Sequence, residues 1–429
     1  MSPLSQSPVS SSHEIQTLLR DLFDEAVASV DPLKIVAPHL PTPPKGKTLI
    51  VAAGKAAASM ARAAEEAWPA SAPFSGTALT RYQHGLPCNP LEVIEAAHPV
   101  PDNRGHLAAQ KLLQEVSQLG EDDLLLFLVS GGGSSLLALP VDSISLEEKK
   151  AVNKTLLHSG APIGEMNAVR KHISAVKGGR LAQAAAPARV VTLAISDVPF
   201  DDPSTIASGP TVPDPTTLAA AKEIITRHGM DLPPSVMAHL DKSTSETPKA
   251  DDPLFKNTDF KMIATPAHMI KAAVAGATAK GFTVTSLGAD LEGEARDLGR
   301  AHGVLALSAK PGLILSGGET TVTVASDTPC GRGGRNCEYL LALAIALDGA
   351  PHIHAIAADT DGIDGSENNA GAIITPDTLA RARAMGLNPQ TMLEGHDAYT
   401  FFEKLGDLII TGPTRTNVND FRAIHVGTP

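Results

Sequence analysis

The chain reads as short apolar runs alternating with longer amphipathic ones. Residues 14–30, EIQTLLRDLFDEAVASV, space their apolar side chains three and four apart, the period of a helix resting on a core. From residue 47 the pattern becomes a repeated unit. KTLIVAA is a short strand, GK a turn, and AAASMARAAEEAW an alanine-rich helix. LEVIEAAHPVPD repeats strand and loop, RGHLAAQKLLQEVSQL the helix, and DLLLFLVSGGGSS is a strand emptying into glycines. ARVVTLAI is a further strand, followed by the long loop SDVPFDDPSTIASGPTVPDP. Strands alternating with helices predict a mostly parallel sheet covered on both faces, with ligand-binding loops at the C-terminal ends of its strands.

A polar stretch, DKSTSETPKADDPLFKNTDF, separates this from a second alternation. There FKMIATP and GFTVTSLGAD are strands, each followed by a helix, and GLILSGGETTVTV predicts two runs pairing antiparallel around SGGE, hence a mixed sheet. GRGGRNCEYLLALAIAL is a glycine loop entering a helix, and HIHAIAADTDGIDGS a strand ending in acids. The pattern predicts a disordered tail over 1–12, an α/β domain over 13–240, a linker over 241–260 and a second α/β domain over 261–429.

At 429 residues the chain exceeds what one core ordinarily serves, in keeping with two domains. A net charge of −12 argues against a broad nucleic-acid surface but leaves room for a local basic pocket. Cys88, Cys330 and Cys337 have the spacing of neither a disulfide framework nor a zinc site. The start of the chain lacks the apolar core of a signal peptide, and no run approaches the ~18 apolar residues of a membrane span. A cytoplasmic protein with no membrane partner is expected.

The chemistry concentrates in loops. Lys55 follows Gly54 at a strand-to-helix turn, where a cation opposes the helix dipole by about 0.3–1 kcal/mol unless an anion is present. A phosphate or carboxylate shared with the helix N–H groups suits it; a lysine bent into solvent is the ordinary alternative. SGGGSS sets Gly131, Gly132 and Gly133 between Ser130, Ser134 and Ser135, offering backbone and hydroxyl donors to an anion, or simply a tight turn. It lacks the lysine of a P-loop, and no G-x-G-x-x-G follows any strand. Asp197, Asp201 and Asp202 suit turns, with Asp197 the candidate metal ligand. Arg332 and Arg335 sit among glycines before a helix, where Arg335 offers a planar fork for phosphate or carboxylate. Asp359, Asp361 and Asp364 cluster at a strand end, able to bind Mg²⁺ or accept a hydroxyl proton. Ile363 and Asp364 break the EF-hand pattern. His352 and His354 share a face of that strand, with structural roles favoured over a metal pair. TGPTRTNVNDF adds Thr411, Thr414, Thr416, Asn417 and Asn419, suited to a polar ligand or to turns. Cations, an acidic loop and anion-seating glycines, without a nicotinamide fingerprint, are the parts of phosphoryl transfer.

These motifs resemble the glycerate 2-kinase family, whose C-terminal part is the MOFRL domain and which sometimes carries a hydroxypyruvate reductase label. VAAGKAAASMA, AAHPVPD, LVSGGGSSLL, NAVRKHISAVKGGRLA, ISDVP, IASGPTVPD, LSGGETTVTV, GRGGRNCE, AADTDGIDG and TGPTRTNVND run in family order. The resemblance implies two Rossmann-like α/β domains with the active site in the cleft between them. It implies ATP-dependent phosphorylation of D-glycerate at the 2-hydroxyl, giving 2-phosphoglycerate and ADP, with Mg²⁺ as cofactor. It makes Lys55, Arg335 and Asp361 catalytic, with substrate or nucleotide contacts from Ser130, Gly131, Gly132, Gly133, Ser134, Lys177 and Asn417. Arg415 stands where the family pattern has glycine, and Cys337 where it has glutamine. Rival functions are an NAD(P)-dependent hydroxypyruvate reductase, which wants the missing dinucleotide fingerprint, and a non-catalytic sugar-acid-binding protein, which would not need the trio. Oligomeric state is left open, a homo-oligomer included.

Overall fold

The structure is a computed structural model that describes residues 11–324 and 330–428. Its chain forms two compact units. The N-terminal unit comprises residues 32–264 and 415–417; the remaining described residues form the C-terminal unit.

The N-terminal unit is built on six parallel strands. They are β1 (Thr48–Ala53), β2 (Phe74–Arg81), β3 (Glu92–Ala96), β4 (Leu124–Val129), β5 (Arg189–Ile195) and β6 (Thr258–Ala264), in the order β3-β2-β1-β4-β5-β6. Every residue of TLIVAA and LLLFLV is buried, as central parallel strands require. Helices Asn103–Val116 and Arg180–Ala185 contribute to one core with these strands, through Leu112, Val116, Leu181 and Ala182 against Val51, Phe127 and Val190. The sheet order reverses between β1 and β4, so the loops leaving those two strands flank a topological switch point, the usual ligand crevice of open α/β sheets. Helices Leu146–His158, Ile163–His172, Leu218–Arg227 and Pro234–Leu240 form a lobe with its own core of Val152, Leu156, Val169, Ile225 and Leu240.

The C-terminal unit carries a mixed sheet, as expected. Its strands are β7 (Val284–Ser286), β8 (Leu291–Glu294), β9 (Gly312–Thr321), β10 (Ile353–Asp359), β11 (Gly371–Ile374), β12 (Leu408–Ile409) and β13 (Asp420–Val426). The order is β12-β11-β10-β13-β9-β7, with β8 beside β9. β13 runs antiparallel to both β9 and β10, which is where the mixed character arises. Helix Arg335–Leu347 is buried along most of its length, consistent with its almost wholly apolar sequence after Glu338.

Three expectations are revised. The run around SGGE forms no hairpin: β9 is one ten-residue strand containing it. Gly318 adopts φ +117, where an added Cβ would overlap the Leu291 backbone, so glycine lets β8 lie against an unbroken strand. The segment 241–260 is no linker. Glu246 receives hydrogen bonds from the Leu218 N–H (3.0 Å) and the Thr247 N–H (3.0 Å) and pairs with Lys249 at 2.7 Å, and Thr258 opens β6. β6 therefore belongs to the first sheet, and the chain changes unit at residue 265. Residues 1–10 of the expected tail lie outside the described residues. Ser11 caps helix Ser12–Ser29 through a capping box with Glu14, and this helix belongs to the C-terminal unit.

Two buried histidines give the C-terminal unit an acid limit. His302 is 6% exposed with Nδ1 2.8 Å from the Tyr339 hydroxyl, and burial pushes its pKa down to about 4. His354, 3% exposed, is pushed down to about 4 by burial and by His425. The unfolded chain takes up these protons from near pH 6.5 while the folded protein resists until about pH 4, so stability falls with pH across that window. For His302 the loss is about 3 kcal/mol. Urea unfolding at pH 7 and pH 4.5 should show it, and His302→Gln should flatten the pH dependence.

Candidate active site

The N-terminal unit brings together most of the residues singled out in its sequence. β1 ends at Ala53, and Gly54 turns the chain with φ +130 into helix Ala57–Ala67. The Lys55 N–H donates to Gly131 O at 2.8 Å, and the Ala56 N–H to Ser130 Oγ at 3.0 Å. The turn after β1 and the glycine loop after β4 are thereby stitched together at the switch point. Ser130, fully buried, uses its hydroxyl for this stitching. Its role in the structure is architectural, where a ligand contact was expected.

The three glycines are explained by what crowds them. A Cβ on Gly131 would collide with the Asp197 carboxylate and the Asn417 amide, which join each other through an Asn417 Nδ2 donation to Asp197 Oδ2 at 2.8 Å. A Cβ on Gly132, at φ +81, would lie 2.9 Å from His98 Nε2 and 3.4 Å from Lys55 Cγ. Gly133 opens the short helix Gly133–Leu136, where an added Cβ would lie 3.1 Å from Ala207 Cβ and 3.2 Å from the Ala53 carbonyl oxygen. Asp197 and Asn417 therefore crowd the loop at Gly131, and Lys55 and His98 at Gly132.

Lys177 lies beneath. Its Nζ donates to Ser134 O at 2.6 Å and Ser134 Oγ at 2.5 Å, and Ser134 Oγ shares a 2.9 Å hydrogen bond with Ser208 Oγ. Burial and neighbouring cations push the Lys177 pKa well below the usual lysine range. Ala207 and Ser208 hold positive φ of 49 and 63, a backbone conformation that non-glycine residues keep only when their surroundings enforce it. Sequence reading missed His98 and Ser208 as individuals, although AAHPVPD and IASGPTVPD were recognised. A histidine or serine inside a quoted motif carries no spacing signal of its own.

Segment 415–417 also belongs to this unit. Arg415 adopts φ +62 and its carbonyl accepts from Ser59 Oγ at 2.6 Å. That left-handed conformation accounts for the glycine expected at this position.

The C-terminal unit gathers a second group. Arg335 is the first residue of helix Arg335–Leu347, and its guanidinium meets three carboxylates: Asp420 at 2.9 Å, Glu319 at 2.6 Å and Asp359 at 2.8 Å. These hold its pKa above the usual arginine value against the cost of burial. Instead of presenting an open fork to a ligand, Arg335 balances an acidic cluster. Asp359 continues the chain of contacts, because its Oδ1 accepts the Asp361 N–H at 2.9 Å. Asp361 is 2% exposed, and its Oδ1 accepts the Ile363 N–H at 2.8 Å. Thr414 closes over this loop, its N–H donating to Asp361 O at 3.1 Å.

Asp364 has a different task. It accepts the N–H groups of Asn336 and Cys337, each at 2.9 Å, capping the helix that Arg335 begins. Burial raises its pKa. Cys337 is buried with Sγ 3.2 Å from Asn369 Nδ2, the contact left to a thiol at a glutamine position. Arg332 pairs with Glu367 at 2.6 Å and lies over the Tyr399 ring, away from this group. His354 bonds Ser12 Oγ at 2.9 Å, while His352 lies just before β10 with φ +68, outside the strand whose face the two were expected to share. Glu319 and Asp420 went unnoticed in the sequence. An acid inside an apolar strand, as in LILSGGET, was the available signal.

No cluster of three or more His, Cys, Asp or Glu side chains able to hold a metal occurs among the described residues. Asp197 is a single carboxylate against the glycine loop. Among these residues no helix is long and apolar enough to cross a membrane.

Known proteins share this arrangement. Residues 18–241 match the family described as "Domain of unknown function (DUF4147)", and residues 312–420 match the MOFRL family. A relative from Agrobacterium vitis carrying a hydroxypyruvate reductase label is 53% identical, over 96% of this chain and 94% of its own. The D-glycerate 2-kinase of Thermotoga maritima is 38% identical, over 95% of this chain and 97% of its own. The crystal structure of a glycerate kinase from that organism superposes with a TM-score of 0.87, at 38% identity, covering 96% of this chain and all of the other. Likeness of this extent, running through both units, means that the chain belongs to the MOFRL-domain glycerate 2-kinase family.

Proposed function

We propose that the protein transfers the terminal phosphoryl group of ATP to the 2-hydroxyl of D-glycerate, giving 2-phosphoglycerate and ADP. The observation that carries this reading is the switch-point loop of the N-terminal unit. The backbone N–H groups of Gly131 and Gly132 and the Lys55 side chain lie in the loops where an open α/β sheet binds anionic ligands. Lys55 supplies positive charge to the phosphoryl oxygens as negative charge develops on them. Asp361 accepts the proton of the attacking hydroxyl. Arg335 acts through Asp359: by neutralising that carboxylate it fixes the acceptor of the Asp361 N–H and thus sets the Asp361 loop. It is a positioning residue.

Mg²⁺ fits this donor set. The ion ordinarily takes only one or two carboxylates and completes its shell with water and phosphate oxygens, so Asp197 beside the glycine loop would suffice to hold it. When bound it would neutralise charge on the donor phosphates.

The reductase label fits the residues less well. The turn after β1 reads GKAAAS from Gly54, with Ala56 and Ser59 where a dinucleotide fingerprint has its second and third glycines. Two assays on the purified protein decide between them. ADP release dependent on D-glycerate supports the kinase. NADH or NADPH oxidation on hydroxypyruvate, without ADP release, would replace it.

A further inference from the structure

The helical lobe of the N-terminal unit contains more buried positive charge than it neutralises. Lys149, on helix Leu146–His158, is 5% exposed, and its ammonium makes no hydrogen bond or ion pair among the described residues. One turn along the same helix, Asn153 Oδ1 accepts from Arg170 Nε at 3.2 Å, and Arg170 Nη1 donates to Asn167 Oδ1 at 3.1 Å. Arg170 is thus held by two amides and no carboxylate. The Lys177 ammonium donates to Ser134 and Ser208 of the candidate site. Among the described residues, Lys171 alone of these four cations has an acid partner, Asp214 at 3.0 Å. The groups are neighbours: Lys149, Arg170 and Lys171 all disfavour protonation of Lys177, and no carboxylate offsets them. The chain that leaves the glycine loop also reaches them, because Ala175 N–H donates to Leu139 O at 3.0 Å and Pro140 bridges to Ser174.

Two buried lysines beside a half-buried arginine, none of the three paired to a carboxylate among the described residues, are costly, and a structural lysine would ordinarily be paired or replaced by an apolar residue. Burial and Arg170 draw the Lys149 pKa down to about 8, so near neutral pH it still carries its charge for the most part. A multiply charged anion resolves the imbalance. We propose that Lys149 and Arg170, together with Lys177, form a polyphosphate seat behind the Ser130–Ser134 loop that takes the phosphate tail of the donor nucleotide. This rests on the kinase reading for the identity of the nucleotide. The seat itself lies wholly in the N-terminal unit and can be tested without turnover.

The test is calorimetric titration of the full-length protein, and of its Lys149→Met and Arg170→Gln variants, with tripolyphosphate, ATP and inorganic phosphate. Thermal melts of each protein are recorded alone and with tripolyphosphate. Each variant should bind tripolyphosphate and ATP about 10–100-fold more weakly, the usual range for losing one charge-assisted contact. Lys149→Met should melt at or above the wild-type temperature when alone, because it removes an unpaired buried charge, yet lose the upward shift that tripolyphosphate gives the wild type. Variants that bind both anions as the wild type does would overturn the seat, as would a wild type that binds neither. Tripolyphosphate binding that needs Lys149 and Arg170 in a protein with no D-glycerate kinase activity would uphold the seat while removing the proposed reaction.

Discussion

Asp361→Asn is expected to lower kcat for phosphoryl transfer by about 10²–10⁴-fold, the range associated with losing a positioned proton acceptor. The substitution is well suited to isolating that role. An amide oxygen can still accept the Ile363 N–H, and the Asp361 backbone N–H still reaches Asp359, so the loop geometry has no reason to change. What disappears is the carboxylate's capacity to take a proton. Steady-state kinetics with D-glycerate and Mg·ATP, alongside urea unfolding, would read this as a fall in kcat at unchanged stability. A variant that keeps wild-type kcat would show that Asp361 takes no proton in the slow step.

Arg335→Ala should harm both fold and activity. Asp420 is fully buried and Asp359 is 3% exposed, and the Arg335 guanidinium pairs with both. Arg422 also pairs with Asp420, through its other oxygen at 2.6 Å. Removing one partner from a buried ion-pair cluster costs about 3–5 kcal/mol, and urea unfolding should show a loss of that size. Arg335→Lys tests positioning separately. It keeps one charge but cannot meet three carboxylates through a planar fork, so it should recover part of the stability while kcat stays low with little change in KM. Full recovery of kcat in the lysine variant would mean that charge alone suffices and that the Asp361 loop needs no fork to set it.

The sequence showed the first sheet most clearly. Strands such as LLLFLV announce burial on both faces, and the loops that follow them carry the glycines. It was less informative wherever a residue's partner lies far along the chain. Segment 241–260 looks like a linker because it is polar, yet Glu246 is held by residues from Leu218 to Lys249. SGGE looks like a hairpin turn because glycines usually mark one; here Gly318 serves a close strand approach within β9. The same limit applies to function. Arg335 among glycines reads as a ligand-binding fork, and only its contacts with Glu319, Asp359 and Asp420, from three separate strands, show the ion-pair cluster on which the proposed positioning role rests. Lys149 and Arg170 drew no notice in sequence, since helical lysines and arginines are ordinarily solvated; the burial of Lys149 and the half-burial of Arg170, without a carboxylate partner among the described residues, set them apart.

The most direct measurement is phosphorus NMR of the purified protein incubated with Mg·ATP and D-glycerate. Phosphorylation at the 2-hydroxyl predicts growing 2-phosphoglycerate and ADP signals in equal amounts. A 3-phosphoglycerate signal, or ATP left intact in the presence of D-glycerate, would contradict it.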